Sequence, residues 1–300
     1  RYDVSVPPNR TPGTVSLSPF AANPRKDFTT INNEIFPSEA TFQSQLKAQL
    51  LSRPAGQRNA VVFVHGYNTG YEDGLFRLAQ FHSDVGLNEV PVHYSWPSAE
   101  KLLRYGYDRD SMLFARDGFK ATLKSVMQAG ADKVLLVAHS MGSMLVMESL
   151  REIAIAGDNY TRSRIGGVVL VSPDIDIDVF RAQIRRIGDV PKPFVIFSSK
   201  RDRVLGFAAN EIYGSDRVGA LQLDGELSDL DVNVIDVTEY SKGILNHSTA
   251  ITSPAFLKII GNMQGFASSF DTGFGAMKRD TPDALMAVDD ADHIRVGHVR

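Results

Sequence analysis

The hydroxyl of Ser140 stands in the segment Ala138-His139-Ser140-Met141-Gly142, after the apolar run 133–138 and before an amphipathic stretch carrying Val146 and Leu150. A serine at a strand-to-helix turn with small residues two before and two after it has the arrangement of a nucleophile elbow. Strand and helix approach closely enough for that strained turn only where side-chain bulk is missing. Ala138 stands where glycine is usual, and it still presents only a methyl group. The competing reading is a serine that simply caps the following helix with its side chain.

A serine hydroxyl attacks a substrate only when a base takes its proton and an acid orients that base. In the order serine, acid, histidine that accompanies such an elbow, only His247, His293 and His298 among the seven histidines come late enough. His247 follows the apolar run 232–237 and precedes the stretch 256–260, so it is the expected base, whereas the other two lie in the irregular tail. Asp202 follows the run 194–197, at the kind of strand end where catalytic groups of open parallel sheets collect. Asp174, one strand earlier, is the alternative acid. The structural alternatives are a surface charge between Arg201 and Arg203 for Asp202, and a helix cap before Val179 for Asp174. An oxyanion hole needs two donors. The Met141 amide is one, and the loop His65-Gly66-Tyr67-Asn68 supplies the other, with Tyr67 preferred to Asn68. His65 itself reads as a buried structural hydrogen-bonder. Trp96, the sole tryptophan, is read as a substrate-pocket wall or as a core residue, with Asn68 as a second substrate contact.

These residues need a scaffold, and the sequence supplies one. Short, largely β-branched apolar runs recur at 60–64, 90–94, 133–138, 167–171, 194–197 and 232–237, separated by helical periodicities such as Met112, Ala115, Phe119, Leu123 and Val126. Alternation of buried strand and amphipathic helix predicts a mostly parallel, doubly wound α/β sheet. Runs 2–6 and 14–17 read as an edge pair, which brings the total to about eight strands. Residues 1–260 form the expected domain, with 1–59 as edge strands and connecting segment, and 261–300 as an irregular C-terminal extension. The insert 206–231 is a candidate small lid over an open cleft for short or medium acyl groups.

Composition narrows the partners. The 300 residues carry 32 basic and 35 acidic side chains, a formal charge of −3, which leaves no basic surplus for a phosphate backbone, so nucleic acid is not expected. Zero cysteines remove thiolate nucleophiles and Cys-rich metal sites and leave the compartment open. No apolar stretch is long enough to span a bilayer. The chain begins with Arg1, which is compatible with a removed leader. The acidic runs Asp174-Ile175-Asp176-Ile177-Asp178 and Asp289, Asp290, Asp292, His293 lack the pattern of a metal loop and read as capping or solvated charge. The glycines at 66, 70 and 74 match neither phosphate-binding fingerprint. No metal or cofactor is expected.

The blocks Phe63-Val64-His65-Gly66-Tyr67-Asn68, Tyr94-Ser95-Trp96-Pro97-Ser98 and Ala138-His139-Ser140-Met141-Gly142 resemble the α/β-hydrolase superfamily, and within it a bacterial branch of unknown function often labelled esterase. The resemblance runs from about Val4 to Ile260. It implies an eight-stranded sheet and a serine-acid-histidine triad, carried onto Ser140, Asp202 and His247. Members of this branch frequently follow an export or lipoprotein leader, which implies a periplasmic or secreted location rather than a cytoplasmic one. The expected activity is that of a serine hydrolase cleaving a small-molecule carboxylic ester through an acyl-enzyme. An amidase or thioesterase on the same triad, and a non-catalytic binding protein of the same fold, are the alternatives.

Overall fold

A computed structural model of the chain describes residues 1–202, 216–220, 227–240, 249–254, 257 and 296–297. Strand β1 (Tyr2–Ser5) pairs antiparallel with β2 (Thr29–Asn33) in a separate two-stranded ribbon. The partner is therefore not run 14–17 but a polar stretch whose last three residues are exposed, and whose strand character comes from pairing rather than burial. The main sheet contains β3 (Ala60–Val64), β4 (Val90–Tyr94), β5 (Val134–His139), β6 (Ile165–Val171), β7 (Phe194–Ser198), β8 (Asn233–Asp236) and β9 (Val296–Gly297). Its order is β4-β3-β5-β6-β7-β8-β9, parallel throughout except for β9. The predicted α/β architecture is thus present as six parallel strands, and the ribbon stands apart from the sheet. Val296–Gly297, within the stretch read as irregular, adds the antiparallel edge.

Period two explains the continuous apolar runs. Val62 and Val64 join Leu136, Leu170 and Ile196 in the core on one face, while Val61 and Phe63 join Val137, Val169 and Phe197 on the other. The connecting helices cover these faces with apolar stripes. They are α1 (Glu39–Leu51), α2 (Tyr71–Val85), α3 (Tyr105–Phe114), α4 (Arg116–Gln128), α5 (Met141–Ile155), α6 (Asn159–Arg164), α7 (Ile177–Ile187) and α8 (Thr249–Thr252). Phe119 of α4, Leu145 of α5 and Phe180 of α7 lie in the first core, and Leu78 and Phe81 of α2 in the second. The single periodicity read across Met112–Val126 is two helices meeting at Ala115. The junction is held by polar side chains that take carbonyls there: the Tyr94 hydroxyl donates to Ala115 O at 2.7 Å and Arg116 Nε to Leu113 O at 2.9 Å. Of the candidate lid, residues 206–215 and 221–226 lie outside the described residues, whereas Val218, Leu227 and Leu230 are packed into the core. Among the described residues no helix is long and apolar enough to cross a membrane.

The edge strand β4 carries an acid sensor of stability. His93 packs against Phe63, His65 and Tyr71, and among the described residues neither ring nitrogen has a hydrogen-bond partner. Burial, reinforced by the neighbouring His65, pushes its pKa down to about 3. The unfolded chain, with an ordinary histidine near pH ~6.5, binds a proton that the folded chain refuses, so this stability is complete above that pH and is lost as pH falls toward 3. Between pH 7.5 and 5.0 the loss from His93 alone is roughly 2 kcal/mol. Urea unfolding at the two pH values measures it, and His93→Leu is expected to flatten the dependence; a wild-type midpoint independent of pH contradicts the account.

Candidate active site

Every strand of the parallel sheet points its C-terminal end to one edge, and Tyr67, Asn68, Trp96, Ser140, Asp174 and Asp202 follow strand ends at that edge. Ser140 follows β5 directly and precedes α5, with φ 51° and ψ −125°. For a residue with a side chain this left-handed φ is strained, costing about 1–3 kcal/mol, and it persists only where the surroundings hold it. They do so through the backbone: Ser140 N–H donates to Val171 O at 2.9 Å and its carbonyl accepts from Ser143 N–H at 2.9 Å.

The same chain shows what a side-chain cap looks like. Ser38 before α1 and Asp176 before α7 have extended or polyproline-like backbones, and each accepts from the amide three residues on, Thr41 N–H and Val179 N–H. Ser140 has neither feature: its side chain makes no cap bond to α5. The cap before Val179 is Asp176 rather than Asp174.

Two glycines make the turn possible. A Cβ on Gly142 would press into the backbone oxygens of His65 and Val64, the latter at 2.8 Å, and one on Gly66 would stand 2.8 Å from both Ser140 Cβ and His139 Nδ1. The loop after β3 and the start of α5 therefore touch backbone to backbone. That contact brings Tyr67 to the same edge as Met141, whose amide opens α5. Among the described residues the Tyr67 amide has no acceptor, whereas the Asn68 amide donates to Asp108 Oδ2 at 3.0 Å. Asn68 also takes a left-handed φ of 52°. Of the two amides weighed for the oxyanion, Asn68's is already engaged.

Asp108, which the sequence did not mark, ties the loops together. Its buried carboxylate accepts from Asn68 N–H, from the Ser98 hydroxyl at 2.7 Å and from Ala99 N–H at 2.6 Å. His65 does the same below. Gly66 O can only accept, so Nδ1, 2.9 Å away, carries the proton, and Nε2 accepts from Trp96 N–H at 3.1 Å. Burial lowers its pKa, which keeps the ring neutral. The indole of Trp96 stacks on this imidazole at 4.9 Å, donates to His65 O at 2.8 Å, and is 1% exposed. This corrects the pocket-wall reading: Trp96 is a core residue, and its burial leaves no ring face for a substrate.

The acids differ in their commitments. Asp174 is buried, pairs with Arg217 Nε at 3.4 Å and accepts from the Tyr105 hydroxyl. Asp202 lies past β7 and is 3% exposed, although Lys200 and Arg201 beside it are exposed. The turn burying it is fixed by Asp202 N–H to Ser199 O at 3.1 Å and Lys200 N–H to Thr238 Oγ1 at 2.9 Å. The surface-charge alternative for Asp202 is thereby excluded. His247, His293, His298 and the acidic tail run lie outside the described residues.

Replacing Asp108 with alanine strands two half-buried amides and a hydroxyl, and is expected to cost roughly 2 kcal/mol in urea unfolding. Gly142→Ala is expected to cost about 1–3 kcal/mol, because backbone rather than a flexible side chain must yield; a variant as stable as the wild type would refute the close approach.

No curated protein matches this chain. Among solved structures it is similar to one described as a predicted CIB-like hydrolase from Thermoplasma acidophilum, at 17% identity over 71% of this chain and 88% of that one, with a TM-score of 0.43. It is similar to a Pyrobaculum calidifontis esterase at 13% identity over 77% and 94%, with a TM-score of 0.40. It is also similar to a bacterial brefeldin A esterase at 16% identity over 73% and 72%, with a TM-score of 0.42. Residues 38–263 match the family described as alpha/beta hydrolase of unknown function (DUF900), and the chain belongs to that family.

Proposed function

We propose that this protein is a serine hydrolase that cleaves carboxylic esters through an acyl-enzyme. The observation that carries the reading is Ser140: a serine held at φ 51° at the head of a helix it does not cap, over a glycine-lined contact with the neighbouring loop. Strain of this kind is maintained where it aims a group. In the proposed reaction His247 removes the hydroxyl proton as Ser140 Oγ attacks the ester carbonyl, and Asp202 orients and charge-balances the imidazole. The Met141 and Tyr67 amides receive the oxyanion, one from the first turn of α5 and one from the loop whose next amide is already engaged. Collapse expels the alcohol, which takes the proton from His247, and water then repeats the cycle to release the acid.

Asp202 is taken as the orienting acid because it follows β7, the strand that pairs with β8, and β8 is the strand that precedes His247 in the chain. Ester is favoured over amide because its carbonyl is less resonance-stabilised and its alcohol leaves more readily than an amine; a thioester is the remaining alternative on the same triad. Matched ester, amide and thioester substrates separate these alternatives.

A fluorophosphonate probe is expected to label the native protein at one site and to leave Ser140→Ala unlabelled; labelling that survives the substitution overturns the assignment. With His247 as base, kcat/KM is expected to fall in acid, up to tenfold per pH unit, as the imidazole takes a proton, and a flat profile down to pH 4 excludes an imidazole base.

A further inference from the structure

A small cavity adjoins the segment that carries Ser140. It holds about 40 Å³, and Met112, Met141, Met144, Ile175 and Val179 form its apolar wall. Two of its lining residues are attached to Ser140 directly: Met141 follows it in the chain, and Asp174 N–H donates to Ser140 O at 3.3 Å. A third, Tyr105, packs its ring 5.2 Å from that of Tyr67, in the loop that carries the second proposed oxyanion donor. Asp174 is paired with Arg217 and accepts from the Tyr105 hydroxyl, and Asp176 caps α7, so these polar groups are committed to the protein rather than to a guest.

The two faces of the sheet assign this cavity to one end of an ester. Met112, Met141 and Ile175 belong to the first core, whereas Tyr240 and Ile251, on either side of His247 in the chain, belong to the second. The leaving alcohol takes its proton from the base, so it departs on the side of His247 and the acyl substituent points to the other. We propose that this cavity receives the acyl chain and makes the protein selective for acetyl esters. A cavity of about 150 Å³ takes the six carbons of benzene, so about 40 Å³ takes one or two. The methyl of an acetyl group fits, whereas the three carbons beyond a butyryl carbonyl require a side chain to move. The selectivity rests on the ester-hydrolase reading and names the acyl group within it. Of the apolar wall only Met144 and Val179 reach the surface, so these two can be cut back without opening the core.

The test is hydrolysis by the whole chain of the p-nitrophenyl esters of acetate, butyrate and octanoate, which share one leaving group and differ in acyl length. kcat/KM is expected to be at least about tenfold higher for acetate than for butyrate and about a hundredfold higher than for octanoate, because a methylene that a pocket cannot take is heavily discriminated against. Met144→Ala is expected to raise the ratio of butyrate to acetate turnover about tenfold, and Val179→Ala, at the more exposed wall position, about threefold. A purely structural role for either side chain would lower both substrates together and leave the ratio unchanged. Wild type that turns over butyrate or octanoate as well as acetate overturns the proposal, and so does a ratio that neither variant moves. Fluorophosphonate labelling of Ser140 in a protein without acetate preference rejects the cavity's role and keeps the hydrolase reading. Absence of both labelling and ester turnover rejects the two together.

Discussion

The structure around the candidate site depends on one close approach, that of the α5 N-terminus to the end of β3. Parallel pairing of β3 with β5 sets Val64 opposite Ala138, so the chain leaving each strand must pass the other within the space of a backbone. Gly66 and Gly142 make that passage possible, and Ser140 absorbs the geometry by taking a conformation its side chain disfavours. The strain is small beside what holds it. The ladder from β5 to β6 continues through Ser140 N–H to Val171 O, and Asp174 N–H returns to Ser140 O at 3.3 Å. A residue whose N–H and carbonyl are both bonded to β6 and the loop that follows it cannot relax without unpicking that side of the sheet.

Burial of polar groups extends this constraint outward. Among the described residues Asp108 has three donors and no cation in the interior, an arrangement that is tolerable because each bond to the carboxylate is charge-assisted. Those donors come from two loops, so one side chain of α3 sets the position of the chain after β3 relative to the chain after β4. His65 and Trp96 form a second tie between the same loops, neutral and stacked. Both ties rely on fixed protonation or fixed donors, and both hold the segment that contains Tyr67. The loop edge is therefore rigid where the oxyanion is proposed to form, and no reorganisation is required of it at the moment of reaction.

The inner parallel strands were legible because they are covered on both faces, which makes nearly every position apolar; Ala60–Val64 reads the same in sequence and in space. Strand β2 was not, since Thr29–Asn33 is only partly buried and its polar residues obey no burial pattern. The division at Ala115 was hidden because the apolar spacing continues through it, and the Tyr94 hydroxyl that supports it lies far away in sequence. Ser140 was legible through the small residues around it, which record a steric demand. Asp108 left no comparable record: in Tyr107-Asp108-Arg109-Asp110 it looks like any charged helical residue, and only the three-dimensional convergence of two loops distinguishes it. Trp96 was ambiguous for a similar reason, because a large aromatic after a strand end suits a wall and a core equally until its neighbours are known.

The two candidate acids illustrate how commitments, as well as position, assign roles. Both follow a strand of the same sheet and both are buried. Asp174, however, is held by a guanidinium that is itself buried, and Arg217 is anchored in turn, its backbone bridging Asp176 while Val218 N–H donates to Ile175 O at 2.9 Å. To serve a histidine, Asp174 would have to share its charge between an imidazolium and the buried guanidinium beside it. The same pairing has a structural use. Together with the Tyr105 hydroxyl it fastens α3 to the loop before α7 and to the packed part of the 206–231 insert, so the element that carries Asp108 is tied down from the opposite side. On this argument Asp174 supports the loop edge of the sheet.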